Sequence, residues 1–110
     1  MHITIAEMER YLAHRYGGWG IDQSMFMKLV EEIGEVAEVM NKMAGRKAND
    51  ETDLKEHLGI ELADMIHYIL AIAALNGIDM ERIILEKDRK ASIKYNHDIN
   101  LEQFLQQQTV

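Results

Sequence analysis

The chain has 110 residues, 47% hydrophobic and 28% charged, with no cysteine and no proline. That length holds one core, residues 1–110 forming a single domain, and the missing thiols exclude a disulfide framework, a zinc-thiolate site and a thiol nucleophile. Nineteen acidic against twelve basic residues give a net charge of −7, which opposes binding to a long nucleic acid through many phosphates. The same acidity suits a small anion held through a divalent cation.

A proline-free composition with only 6% aromatic residues predicts an all-α fold, since strands favour β-branched and aromatic side chains. Thr4 and Glu7 form a capping box before Ile5, Met8 and Leu12, so a first helix is expected from about residue 4 to about 16. The glycine-rich turn that follows carries Tyr16 and Trp19. Asp22 or Ser24 caps a long second helix reaching about Ala44, and the polar stretch Gly45 to Asp50 leads to a third helix capped by Asp53 with Glu56 and closed at Asn76-Gly77. Asp79 caps a fourth helix to about Tyr95, and Asn100 with Gln103 starts a short last one whose glutamine tract is expected to fray.

No charged-then-apolar leader opens the sequence, and the longest strictly apolar run, Tyr68 to Leu75, falls short of the roughly 18 residues that span a bilayer. A cytoplasmic protein with no membrane partner is the expectation. From Leu58 to Leu75 the third helix is apolar on nearly every side, so neighbours must enclose most of it. Four helices of one small chain do this poorly. A homodimer or dimer of dimers is therefore expected, its third helices near a twofold axis, with Gly59 and Ala63 opposite Glu61 allowing close approach.

Two acids interrupt that helix. Glu61 and Asp64 share one face with His57 a turn before and Tyr68 a turn after, and no Lys or Arg lies between Leu58 and Leu75. Buried carboxylates need cations or metal. On the second helix, a buried arc centred on Leu29, Ile33, Val36 and Met40 puts Glu32 near its edge and Glu35 just beyond, with Glu31 and Glu38 opposite. Counting from the connecting loop of an antiparallel pair sets Glu35 level with Glu61 and Glu32 level with Asp64. Four carboxylates then converge on one groove, a donor set suited to Mg²⁺ or Mn²⁺. A di-iron bundle would repeat Glu-x-x-His on two helices, whereas this chain offers only Asp64-x-x-His67. Taken alone, the acidic string of the second helix reads as a solvated face.

Glu32-x-x-Glu35 in LVEEIGEVAEVM and Glu61-x-x-Asp64 in ELADMIHYILAIA resemble the signature of the MazG-like all-α nucleoside triphosphate pyrophosphohydrolases, including the dCTP pyrophosphatases. The resemblance extends from the aromatic loop to Lys94-Tyr95 and includes Asn-Gly-Ile-Asp before a basic fourth helix. It implies a four-helix-bundle-like fold and a homodimer or homotetramer. It also implies Mg²⁺ held by Glu32, Glu35, Glu61 and Asp64, and hydrolysis between the α- and β-phosphates of a nucleotide. Tyr16, Trp19, Tyr68, Lys87, Lys94 and Tyr95 fall where relatives contact substrate, and Glu35, with Glu38 behind it, is the candidate acceptor of the water's proton. Ala91 departs from the pattern, since many relatives carry Asn there. Two other activities fit: a phosphoribosyl-ATP pyrophosphohydrolase, and a nucleotide-binding or dimerisation module without turnover.

Overall fold

The computed structural model describes residues 1–17, 23–47, 49 and 53–108, and the regular elements among them are five α-helices. α1 (Ile5–Tyr16) begins at the expected capping box: the Thr4 hydroxyl accepts from the Glu7 amide at 3.0 Å and the Glu7 carboxylate accepts from the Thr4 amide at 3.1 Å. α2 (Gln23–Met43) follows, with Asp22 outside the described residues. α3 (Leu54–Leu75) starts at Asp53, whose carboxylate accepts from the Glu56 amide at 2.9 Å. α4 (Met80–Lys94) starts at Asp79, bonded likewise to the Arg82 amide at 3.2 Å. α5 (Leu101–Gln108) opens with reciprocal Asn100–Gln103 bonds of 2.9 and 2.8 Å and continues through the glutamine tract.

Three helices end in the same way. After α3 the Ile78 amide donates to the Ala73 carbonyl at 2.9 Å and the Gly77 amide to the Ala74 carbonyl at 3.2 Å, a closure that needs a left-handed residue, supplied by Gly77 at φ +66°. Gly45 and Asn96 occupy the same position after α2 and α4, where Arg46 bonds back to Asn41 and His97 to Ser92, each at 2.9 Å.

α2 and α3 form a helical hairpin with the most extensive packing in the chain, α1 lies along α3, and α4 rests on α1 and α5. One core joins Leu12 and Tyr16 of α1, Met25 of α2 and Leu70 and Ala71 of α3. The starts of α1 and α4 cap each other: Glu81 accepts from the Ala6 amide at 2.8 Å, and Glu9 accepts from the Met80 amide at 2.9 Å. Each carboxylate thus meets the positive end of the other helix.

The buried line of α2 differs from the expected arc. It runs Met25, Leu29, Glu32, Val36, Val39, with Val39 only 1% exposed, whereas Ile33 and Met40 are 48% and 55% exposed. The reason is that α2 carries two apolar stripes at helical spacing. The second, Phe26, Val30, Ile33 and Met40, faces outward. α3 is also uncovered along Gly59, Leu62, Ala63, Ile66 and Ile69, about half a turn from Glu61. Accordingly the radius of gyration is 17.2 Å, against about 13 Å for a compact domain of this length. The single chain is an open arrangement of helices.

Candidate metal centre

Glu32, from the middle of the buried stripe of α2, meets Glu61 and Asp64 on successive turns of α3, and one oxygen of each lies within 4.8 Å of the others. Glu32 Oε2 is buried and accepts no hydrogen bond among the described residues. Its neighbour Glu61 is itself an acceptor, so the two carboxyls bond only when one holds a proton. That bond, then burial, then the charges of Glu61, Asp64 and Glu35 push the Glu32 carboxyl from 4.5 up to about 7. The potentially cationic group beside the cluster is the His57 imidazole, whose Nε2 lies 3.2 Å from Glu61 Oε1.

Glu32 meets both Asp64 and Glu61, while Glu35 stands exposed at the rim. Because the inward line of α2 passes through Leu29, Glu32 and Val36, Glu35 sits at its edge and contributes charge to Glu32 without joining the three clustered oxygens. Glu38 is exposed and pairs with Lys47 at 3.6 Å.

Tyr16 is not a loop aromatic. It is the buried last residue of α1, and its hydroxyl lies 2.7 Å from His67 Nε2 on α3. The His67 ring meets both Tyr16 and Tyr68 edge to face, with centroids 5.7 and 5.1 Å away. Tyr16 and Tyr68 are thereby joined in one aromatic group a turn beyond Asp64, and Trp19 lies outside the described residues. Lys87, Lys94 and Tyr95 are exposed on α4, which packs on α1 and α5 and not in the α2–α3 groove. Lys94 Nζ rests 5.3 Å over the Tyr95 ring. Within one chain these three are not gathered at the carboxylates, and Ala91 is half-buried on the same helix. In the sequence His67 is marked only by its spacing from Asp64, as a lone histidine on an apolar helix.

The donor set is oxygen alone and includes one buried oxygen without a partner, which matches a hard divalent cation. A family model described as the MazG nucleotide pyrophosphohydrolase domain matches residues 22–98, the span that contains the whole cluster. The chain belongs to the MazG family. Uncharacterized protein YpjD of Bacillus subtilis (strain 168) is 28% identical to this MazG chain over 76 residues, covering 69% of this chain and 68% of that protein. The crystal structure of iMazG from Vibrio DAT 722 shares the fold, with a TM-score of 0.61 and 24% identity over 86% of this chain and 100% of that one.

Proposed function

We propose that this MazG chain is a Mg²⁺-dependent nucleoside triphosphate pyrophosphohydrolase, converting a ribo- or deoxyribonucleoside triphosphate to the monophosphate and pyrophosphate as part of cytoplasmic nucleotide-pool cleansing. The observation that carries the reading is the three-carboxylate cluster with the orphaned Glu32 oxygen at its centre, within the span matched by the pyrophosphohydrolase family model. Mn²⁺ is the natural substitute, since it accepts the same oxygen donors. When bound, the metal supplies charge neutralisation on the phosphates and a more acidic water.

The chain's own residues do the rest. Glu32, Glu61 and Asp64 hold the ion, with Glu35 completing the set from the rim. Glu35, open to solvent beside the cluster, accepts the water's proton; Glu38 stands behind it, held by Lys47. Tyr16, Trp19 and Tyr68 enclose the nucleoside. Lys87, Lys94 and Tyr95 reach the phosphates from the α4 of a second copy, because α4 lies off the groove in its own chain.

Self-association has separate support. The chain exposes 8484 Å², against about 6,200 Å² for a folded monomer of 12.7 kDa. The surplus of about 2,000 Å² is what a large obligate interface removes, and the uncovered stripes of α2 and α3 are where it would form. α3 is long and apolar enough to cross a membrane by length and composition alone, but its acidic face is engaged with Glu32, and a partner chain covers the opposite face without submerging those carboxylates in lipid.

Pyrophosphate release from a panel of NTPs and dNTPs, with Mg²⁺ and with EDTA, tests the activity. Metal-dependent release from some member is expected, with loss of turnover and a retained fold in Glu61→Gln and Asp64→Asn. Retained activity in those variants overturns the cluster. Silence across the panel, from folded protein that binds Mg²⁺ and nucleotide, identifies a binding module instead.

A further inference from the structure

The pair formed by Tyr16 and His67 is a tertiary hydrogen bond between the last residue of α1 and a residue three positions after Asp64. It is short, 2.7 Å, and part-buried, and its Tyr16 end belongs to the core that joins α1 to α3. Tyr16 is also the final helical residue before the segment that leads into α2, so whatever fixes Tyr16 fixes where that segment leaves the body of the protein.

We propose that His67 is a positioning residue for nucleotide binding: by accepting the Tyr16 hydroxyl at Nε2, it holds the exit of α1 beside the carboxylate-bearing face of α3. This rests on the nucleotide reading above and adds to it a residue that touches neither metal nor phosphate. Tyr16 donates, and a neutral imidazole with a free Nε2 lone pair is the acceptor. Burial and then the Arg15 guanidinium favour that neutral form, against the opposing charge of Asp64. Tyr68 meets the same ring edge to face at 5.1 Å, and Arg15 lies 5.4 Å over the Tyr16 ring. The imidazole therefore contacts both tyrosines assigned to the nucleoside. Its removal changes their separation without altering any of the three clustered carboxylates.

The consequence is a binding defect and not a chemical one. His67→Leu keeps the volume and removes the Nε2 acceptor; Tyr16→Phe removes the donor; His67→Gln supplies an alternative acceptor. Three measurements on the full chain decide the matter. Proton–nitrogen NMR correlation of the histidine rings, without metal or nucleotide, should show one neutral imidazole whose Nε2 shift changes in Tyr16→Phe. Steady-state kinetics on the best triphosphate of the panel should give a KM raised about ten-fold in His67→Leu and in Tyr16→Phe, with kcat within about two-fold and partial rescue in His67→Gln. Affinity for the α,β-methylene analogues of dATP, dCTP, dGTP and dTTP with Mg²⁺ should fall by the same factor.

A wild-type chain that binds the analogues but releases no pyrophosphate refutes the pyrophosphohydrolase reading, and the analogue affinities then decide on His67 alone. Unchanged KM and affinity in a folded His67→Leu, or a fall in kcat at constant KM, overturns the positioning role. A wild-type chain that binds no nucleotide overturns both.

Discussion

Replacing Glu32 by Gln should stabilise the metal-free protein and abolish its stabilisation by Mg²⁺. The Glu32 carboxyl is pushed from 4.5 up to about 7 by the Glu61 hydrogen bond, by burial and by neighbouring negative charge. Its folded value lies above its unfolded one, so the contribution of the protonated group to stability is complete below about pH 4.5 and is lost as pH rises through about 7. At 1.36 kcal/mol for each pH unit of that interval the ceiling is about 3 kcal/mol, and solvent at the open side of the groove screens it towards about 2 kcal/mol. Gln removes the charge, keeps the shape and donates to Glu61. Thermal unfolding in EDTA should therefore show wild type losing stability between pH 5 and 8 while the variant changes less, a difference of several degrees at pH 8 for a chain of this size. Adding Mg²⁺ should raise the wild-type midpoint, increasingly so at higher pH, and leave the variant unmoved. Equal midpoints for the two proteins at pH 8 in EDTA would refute the argument that packing holds the crowded carboxylates together at a cost in the absence of a cation.

Glu9→Ala should lower stability by about 1–3 kcal/mol in urea unfolding, because the Met80 amide at the start of α4 loses a charged acceptor; Glu9→Gln, which keeps an acceptor, should recover most of it. Gly77→Ala should cost about 1 kcal/mol through backbone conformation alone, since φ is +66° and a methyl there meets nothing within 4 Å; a neutral result would mean that the turn relaxes. Ile66→Glu places a charge on the uncovered side of α3, and light scattering should report a smaller assembly than for wild type, with unchanged mass excluding that face as the interface.

Helix limits were legible because the residues that set them act locally. Thr4 with Glu7, Asp53 with Glu56, Asp79 with Arg82 and Gly77 each form their bonds within a few residues, so a linear string suffices to find them. The acids of α3 were legible for a related reason: a carboxylate in an otherwise apolar helix needs a partner whatever the tertiary structure. What the string did not specify was rotation and register. α2 has two apolar stripes of equal periodicity, and only contact with α3 selects the one containing Glu32. Glu32 then reaches Glu61 as well as Asp64, and Glu35 stays at the rim. Tyr16 was misplaced because Gly17 follows it, although its spacing from Leu12 puts it on the buried line of α1. The crossed bonds of Glu9 and Glu81, separated by more than 70 residues from their donors, have no local signature.

The openness of the single chain and the repulsion within the cluster are linked through α3. One face of that helix carries Glu61 and Asp64 against Glu32; the other, about half a turn away, presents Leu62, Ile66 and Ile69 to solvent. Among the described residues the largest fully enclosed side chains are Leu12 and Val39, and such a core leaves little to offset the roughly 2 kcal/mol cost of ionising Glu32 in a domain whose whole stability is of order 5–15 kcal/mol. A second copy covering the apolar face would supply the missing burial, while a cation on the acidic face would relieve the cost of ionising Glu32. Both act on the same helix, so each should strengthen the other: the assembly should dissociate at a higher protein concentration in EDTA than in Mg²⁺, and Glu32→Gln should weaken that dependence. Sedimentation across a dilution series reads this directly, and an assembly indifferent to metal in wild type would show that the two faces of α3 act independently.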